Sequence, residues 1–150
     1  MGERPRVIIV EDFALLQETI RLLLKRECDV VATADDGETA IAMTAELAPD
    51  FVTVDVSLPG MSGFAVAEKV CAMSPAPQVI FVTNYGDKEY IKQAFEIGAR
   101  AYVLKSTIDG ELMEAIRAVR AGKRFLSARL RAQMNWKENH LTFRASLPRF

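Results

Sequence analysis

Four short apolar runs in this chain each lead directly into polar side chains. The runs are Arg6–Val10 before Glu11 and Asp12, Phe51–Val54 before Asp55, 79–82 before Thr83, and Ala101–Leu104 before Lys105. Short apolar runs separated by helix-like segments are typical of strands in a parallel sheet. Because the carboxyl ends of parallel strands share one edge of the sheet, the sequence predicts that these polar groups meet in one cleft.

Strand-like and helix-like segments alternate along most of the chain. A fifth strand-like run lies near 29–33, and five helical patterns separate or follow the runs. This alternation predicts an α/β fold with a doubly wound, five-stranded parallel sheet and five helices. The runs at 51–54 and 79–82 are apolar throughout, which is typical of strands buried on both faces. The second and fifth strands are expected to be the edges.

The composition is that of an ordinary globular protein. Half of the 150 residues are hydrophobic and 26% are charged, which suits one domain with a buried core. No apolar run approaches the roughly 18 residues of a membrane span, and the first residues lack the apolar region of a signal peptide. We therefore expect a cytoplasmic protein without membrane association. Cys28 and Cys71 have no metal-ligand spacing and are expected to be reduced thiols.

Charge is distributed unevenly along the chain. Residues 123–150 carry seven basic residues and one acidic residue, a net charge of +6, so the total of −1 leaves −7 for residues 1–122. Such a segment either contacts an acidic partner such as nucleic acid or is simply solvated, and both interpretations stay open. The single histidine, His140, lies in this segment and is expected to be structural or exposed.

The strand-end residues are suited to phosphoryl chemistry. Glu11, Asp12 and Asp55 would place three carboxylates in one cleft, where their mutual repulsion requires protons or a cation. An all-oxygen, partly hydrated site suits Mg²⁺. Asp55 could then act as a nucleophile and form an aspartyl phosphate. Lys105 would offer a positive charge and Thr83 a hydroxyl to the phosphoryl oxygens.

As a set, these residues resemble the receiver domain of bacterial two-component response regulators. The resemblance covers about residues 5–122. It rests on Glu11, Asp12, Asp55, the loop 58–63 with Pro59, Gly60 and Gly63, Thr83, Tyr102 and Lys105. It implies a flavodoxin-like (CheY-like) fold with strand order 2-1-3-4-5 and Mg²⁺-dependent phosphorylation of Asp55 by a partner sensor histidine kinase. It also implies that the protein is not an enzyme, beyond assisting its own phosphorylation and dephosphorylation.

The resemblance assigns further roles around the cleft. The backbone carbonyl of Ser57 is expected to help hold the metal. Thr83 would move toward the phosphoryl group and Tyr102 would swing inward, changing the face around the fourth and fifth helices, through which a homodimer could form. Asn84 stands at the position where the family usually has a small residue, Ala or Gly. The next residue, Tyr85, is bulky. We predict that they narrow water access and slow loss of the phosphoryl group.

The C-terminal part resembles receivers that carry LuxR/NarL-type helix-turn-helix outputs. Residues 122–127 match the usual exit from the last receiver helix, and 141–144 resemble the opening of the output domain, after which the similarity stops. Residues 123–150 are therefore expected to be a basic linker or tail, the remnant of a truncated output domain. DNA binding is expected only if an output domain is restored, because no recognition helix follows.

Three classes of function stay open from the sequence. The first is a phospho-acceptor signalling domain upstream of transcription regulation. The second is a pseudo-receiver that binds proteins without being phosphorylated, against which the intact Asp55, Lys105 and acidic pair argue. The third is a flavin binder or an aspartate-dependent phosphatase. Glu11 and Asp12 would repel a flavin phosphate, and Ser57 stands where such phosphatases carry a second carboxylate.

Overall fold

Six strands form a single sheet in the computed structural model, which describes residues 3–137. In chain order the elements are β1 (Arg6–Val10), α1 (Ala14–Leu24), β2 (Asp29–Ala34), α2 (Gly37–Leu47), β3 (Phe51–Val54), α3 (Gly63–Cys71), β4 (Gln78–Thr83), α4 (Lys88–Ile97), β5 (Ala101–Leu104), a 3₁₀ turn (Lys105–Thr107), α5 (Ile108–Arg120), β6 (Phe125–Leu126) and α6 (Ala128–Met134). The strands lie in the order β2-β1-β3-β4-β5-β6, and every neighbouring pair is parallel.

The parallel α/β sheet and the order 2-1-3-4-5 of its first five strands confirm the predicted fold. The prediction of five strands and five helices is wrong, because β6 and α6 follow α5. Phe125 of β6 pairs with Ala101, and Leu126 pairs with Tyr102. Both β6 side chains are buried, so a sixth strand covers the edge of β5 that was expected to be exposed. The folded unit thus continues past residue 122.

The sheet separates two apolar clusters. On one face its strands pack against helices α2, α3, α4 and α6, and on the other against α1 and α5. Every residue of β3 and β5 is buried, whereas most of β2 is partly exposed, so β2 is the edge that was expected. Among the described helices, none has the length and apolar character needed to cross a bilayer.

The loop between β3 and α3 is held firmly against Asp55. Gly60 has φ of +80°, a conformation that favours glycine. At Gly63 the constraint is space, because an added Cβ would lie 1.9 Å from the backbone oxygen of Asp55. Ser62 begins α3 by accepting a 3.1 Å hydrogen bond from the backbone N–H of Ala65. The two glycines therefore allow a tight turn between β3 and α3.

The segment after α5 packs onto the domain through both apolar and basic residues. Leu130 and Met134 of α6 are buried in the α4 face of the core. Arg124 is only 4% exposed, and its guanidinium lies 5.3 Å from the ring centre of Phe95 and 4.8 Å from that of Trp136. Part of the basic charge predicted for a tail therefore has a structural role. The predictions for residues 138–150, including His140, lie outside the described residues.

Candidate functional site

An open cleft of about 470 Å³ lies at the carboxyl edge of the sheet, where the sequence predicts it. The residues that line the cleft are Glu11, Asp12, Phe13, Asp55, Ser57, Leu58, Pro59, Asn84, Tyr85 and Lys105. Carboxylate oxygens of Glu11, Asp12 and Asp55 lie within 4.8 Å of one another. The endings of β1, β3 and β5 thus come together, because parallel strands deliver their last residues to the same edge.

Lys105 joins the acidic groups of the cleft. Its Nζ donates a 2.7 Å hydrogen bond to Asp55 Oδ2 and lies 3.1 Å from Glu11 Oε1. All three side chains are largely buried, so the charges interact at reduced dielectric screening. Burial alone would lower the pKa of Lys105, but the hydrogen bond and charge of Asp55, together with Glu11, raise it. Lys105 is therefore held in the charged state.

Glu11 is buried without a full set of hydrogen-bond donors. Its Oε2 accepts a 3.0 Å hydrogen bond from the backbone N–H of Phe13. Its Oε1 is in ion-pair contact with Lys105 but receives no well-aligned hydrogen bond from the described residues. Burial raises the pKa of Glu11 against the opposing effects of the Phe13 N–H and Lys105. Carboxylate lone pairs left open at a cleft are suited to a hard cation.

The other expected metal ligands surround this oxygen. Asp12 is exposed at the mouth of the cleft, and Asp55 is 5% exposed at its floor. The backbone N–H of Ser57 donates a 3.3 Å hydrogen bond to Asp55 Oδ1, which fixes the turn that carries the Ser57 carbonyl. Oxygen donors from carboxylates and a carbonyl fit Mg²⁺ better than metals that prefer nitrogen or sulfur. That the Ser57 carbonyl is a ligand stays a prediction.

Thr83 and Tyr102 are both fully buried and both bound to Tyr85. The backbone N–H of Tyr85 donates to Thr83 Oγ1 at 3.3 Å, and the Tyr102 hydroxyl donates to the Tyr85 carbonyl at 2.6 Å. The Tyr102 side chain therefore points into the fold. That it swings inward on phosphorylation stays a prediction from the family resemblance. Burial raises the pKa of Tyr102, with a smaller contribution from the charge of Asp87. One residue therefore links the two predicted switch positions.

A chain of aromatic rings supports this loop, and the sequence analysis missed it. Tyr85 contacts Tyr90 edge to face, with ring centres 5.6 Å apart, and Tyr90 contacts Phe64 in the same way at 5.6 Å. Phe64 lies 5.4 Å from Phe81, which lies 6.0 Å from Tyr102. Ring contacts at these distances are stabilising. The signal was an aromatic residue near the start of each of α3 and α4, which periodicity marks only as core.

The two residues predicted to tune dephosphorylation take different positions. Asn84 is exposed and lines the cleft, so its side chain is free to limit solvent near Asp55. Tyr85 also lines the cleft, but its ring is fixed by Tyr90 and its backbone by Thr83 and Tyr102. Their effect on the lifetime of an acyl phosphate stays a prediction.

An acidic cluster with a lysine at the carboxyl edge of a parallel sheet is the arrangement found in receiver domains. The family profile of the response regulator receiver domain matches residues 7–117, and the chain belongs to this family. Its relatives are response regulators of the NarL/LuxR type, as the resemblance implied.

Three relatives illustrate the similarity. The oxygen regulatory protein NreC of Staphylococcus haemolyticus (strain JCSC1435) is 31% identical over 128 residues, which cover 83% of this chain and 59% of NreC. The LuxR-family response regulator of Aurantimonas sp. SI85-9A1 is 33% identical with a TM-score of 0.82, covering 87% of this chain and 94% of that one. The receiver domain of a putative NarL from Mycobacterium tuberculosis is 28% identical with a TM-score of 0.76, covering 81% and 99%. The chain spans about three fifths of the length of the curated relative.

Proposed function

We propose that this receiver domain is a phospho-acceptor whose Asp55 takes a phosphoryl group from a phosphohistidine of a sensor histidine kinase. The observation that carries the proposal is the position of Lys105, whose Nζ contacts both Asp55 and Glu11 at the strand ends. A cation held against the acceptor carboxylate can neutralise the phosphoryl oxygens as they arrive. Asp12 completes the acidic cluster at the open side.

The transfer forms one bond and breaks one. An Asp55 carboxylate oxygen attacks phosphorus, and the phosphorus–nitrogen bond to the donor imidazole breaks. The imidazole nitrogen keeps the electron pair and takes a proton from solvent. Lys105 exchanges its contact with Asp55 Oδ2 for a phosphoryl oxygen, and the Thr83 hydroxyl donates to another. The protein contributes mainly position and charge, so it assists its own modification without turning over other substrates.

Mg²⁺ is the proposed cofactor. Carboxylate oxygens of Glu11, Asp12 and Asp55 and the carbonyl of Ser57 would hold it, and the open, buried Glu11 Oε1 supports this assignment. When bound, the ion supplies the charge neutralisation that lets a phosphoryl group approach three carboxylates. The residues themselves keep the acceptor oxygen at the floor of the cleft, where Lys105 can reach it.

The proposed switch is a shift between two packings of the β4–α4 loop. A phosphoryl oxygen bound to the Thr83 hydroxyl would hold the loop in the position from which the Tyr85 carbonyl accepts the Tyr102 hydroxyl. The inward Tyr102 is then favoured because the two bonds share Tyr85. NMR signals of the Tyr102 ring should sharpen or shift when beryllofluoride and Mg²⁺ are added. An unchanged ring environment would refute the switch.

The downstream step is proposed to be a protein contact or homodimer upstream of transcription regulation. Because β6 covers the β5 edge, the outer surfaces of α4 and α5 are the parts of the predicted interface that stay accessible. The LuxR-family membership of a similar structure supports a transcriptional context. Sedimentation with and without beryllofluoride tests the dimer: a phosphoryl mimic should increase the sedimentation coefficient, and an unchanged value would limit the switch to contacts with other proteins.

Intact mass after incubation with Mg²⁺ and phosphoramidate tests the acceptor function directly. We expect one added phosphoryl group on the wild type and none on Asp55→Asn, which keeps the size of the side chain and removes its nucleophilic oxygen. Chelation of Mg²⁺ should abolish the addition. No addition to the wild type would favour the pseudo-receiver interpretation, and addition to both proteins would place the acceptor elsewhere.

A further inference from the structure

Glu111 binds two separate parts of the chain from the first turn of α5. Its Oε1 accepts hydrogen bonds from the hydroxyls of Thr107 at 2.7 Å and Ser127 at 2.5 Å, and its Oε2 accepts one from the backbone N–H of Ala128 at 2.9 Å. Burial would raise the pKa of Glu111, but these hydrogen bonds, with the charge of Arg131, lower it. An ionised carboxylate therefore bridges the 3₁₀ turn and the start of α6.

Ser127 links this bridge to the end of β5. Its side chain is fully buried, and its Oγ accepts a 2.8 Å hydrogen bond from the backbone N–H of Leu104. Its own N–H donates to the Tyr102 carbonyl at 3.0 Å. β6 ends at Leu126, so the N–H of Leu104 has no backbone acceptor in that strand. The Ser127 hydroxyl takes the place of this acceptor where the main chain turns into α6. Ser127 also donates to Glu111, so a single network reaches from β5 to α5.

The residues before and after Lys105 in the sequence are held by hydrogen bonds of this network or of α6. Leu104 precedes the lysine and is bound to Ser127, Thr107 follows it and is bound to Glu111, and Ser106 accepts a 3.1 Å hydrogen bond from Arg129 of α6. These bonds fix the backbone from which the Lys105 ammonium reaches Asp55 and Glu11. The position of the ammonium therefore depends on the packing of α6 against the domain.

The same helix contacts the loop on the other side of the cleft. Gln133 donates a 3.0 Å hydrogen bond to the carbonyl of Gly86, the residue after Tyr85. Leu130 packs so close to Gly86 that its Cδ2 would lie 3.0 Å from a Cβ added there. Helix α6 thus contacts both segments proposed to grip the phosphoryl group, the β4–α4 loop and the turn with Lys105.

We propose that Glu111 is a positioning residue that couples the seating of α6 to phosphoryl binding at Asp55. When α6 is packed against the domain, Lys105 is already positioned for the phosphoryl group. Binding then costs less conformational entropy of the Lys105 side chain and its turn. Coupling between two sites is reciprocal, so a phosphoryl group bound to Lys105 must in turn stabilise the packed position of α6. The C-terminal segment is then the element through which the domain reports its state. This inference rests on the proposed function.

Glu111→Gln is the decisive variant, with Glu114→Gln as its matched control on the same helix. Glutamine keeps the size of the side chain but has one acceptor oxygen, so it cannot accept from both Ala128 N–H and the two hydroxyls. Glu114 is exposed, and the same change there should have no effect on the cleft. Calorimetry on the full chain would measure the affinity for Mg²⁺ alone and for beryllofluoride at saturating Mg²⁺.

We expect Glu111→Gln to bind beryllofluoride about fivefold or more weakly than wild type and Glu114→Gln, a typical coupling effect, with no loss of Mg²⁺ affinity. Equal beryllofluoride affinity in both variants would overturn the inference and leave the acceptor function standing. Parallel loss of Mg²⁺ and beryllofluoride affinity would also overturn it, because it would indicate general damage to the cleft. A wild type that binds Mg²⁺ but neither beryllofluoride nor a phosphoryl group would overturn the proposed function itself.

A measurement on the wild type covers the case in which Glu111→Gln does not fold. Hydrogen exchange of the α6 amides would be compared with Mg²⁺ alone and with Mg²⁺ and beryllofluoride. The inference requires slower exchange in α6, by about fivefold or more, when beryllofluoride is bound. Unchanged exchange in α6 together with slowed exchange in the cleft would show that the site is filled and the helix is not coupled to it, which overturns the inference.

Discussion

The acidic and the cationic halves of the cleft are built in opposite ways. On the acidic side, Asp12 is exposed, Phe13 is 60% exposed, and α1 begins without a side-chain cap. On the cationic side, the residues around Lys105 are tied by hydrogen bonds to α5 and α6. One half is open to an ion and to an approaching protein, and the other is anchored to the rest of the domain.

Two glutamates show the physical basis of this difference. Glu11 is buried with too few donors, and burial raises its pKa. For Glu111, three hydrogen bonds outweigh the effect of burial and lower its pKa. The same type of side chain thus lacks hydrogen-bond donors on one side of the cleft and is fully hydrogen-bonded on the other. A carboxylate that lacks hydrogen-bond donors is available to bind a ligand. A carboxylate that is fully hydrogen-bonded holds the segments around it in fixed positions.

The largest expected effect comes from removing the cation that joins the two halves. Lys105→Ala leaves Asp55 and Glu11 without their counter-charge and removes the group proposed to grip a phosphoryl oxygen. The rate of phosphorylation by phosphoramidate should fall by about 100-fold or more. A time course of intact mass would measure it, with the exposed Lys88→Ala as control. A rate close to that of wild type would show that the halves act independently.

A pair of serine variants compares the stability of the two halves. Ser127→Ala leaves the buried N–H of Leu104 without its acceptor and should lower the free energy of unfolding by about 1–3 kcal/mol. Ser57→Ala, on the open side, changes an exposed side chain and should stay within about 0.5 kcal/mol of wild type. Urea denaturation of both variants measures the difference. Equal losses would remove the distinction between an anchored and an open half.

The anchored half should also have its own pH dependence. Because hydrogen bonds lower the pKa of Glu111 from its ordinary value of 4.5, its ionised form contributes stability above that pH. This contribution is lost as the pH falls through the lower pKa of the folded state. The stability difference between wild type and Glu111→Gln should therefore be largest near neutral pH and shrink in acid. Urea midpoints across this range would test it, and a gap that widens in acid would contradict the sign.

The smallest expected effect concerns the open half. Asn84 is exposed at the rim of the cleft, so Asn84→Ala should admit water to an acyl phosphate at Asp55. We expect dephosphorylation to become about threefold faster, which corresponds to about 0.6 kcal/mol. Decay of the phosphorylated mass after removal of the donor measures the rate. If the rate does not change, Asn84 has no part in controlling water access.

The sequence was sufficient for the cleft because strand ends are an unusually direct signal. Apolar runs that stop at Glu11, Asp55 and Lys105 specify which groups share an edge once the strands are parallel. The inward position of Tyr102 was not predictable in the same way. It depends on a hydrogen bond to the Tyr85 carbonyl and on a ring contact with Phe81 of the neighbouring strand, which no local pattern encodes.

The C-terminal elements were missed for a different reason. A strand of two residues, Phe125–Leu126, is too short for periodicity to detect, and the surrounding basic residues indicated a linker or tail. A signal was present in Leu130 and Met134, which stand four residues apart on one face of a helix. The burial of Arg124 between aromatic rings could not be inferred, because it requires α4 and the end of α6 to be placed in space.

Trp136 gives the protein a built-in optical reporter. It is the only tryptophan of the chain, and its ring lies 5.1 Å from that of Phe95 on α4, just beyond the end of α6. Indole emission depends on the polarity of its surroundings and on nearby charge. Separation of this ring from Phe95 and Arg124 should therefore change the emission wavelength and the intensity of the intrinsic fluorescence. Movements of the C-terminal segment can therefore be followed in real time, in unlabelled protein, during a single reaction.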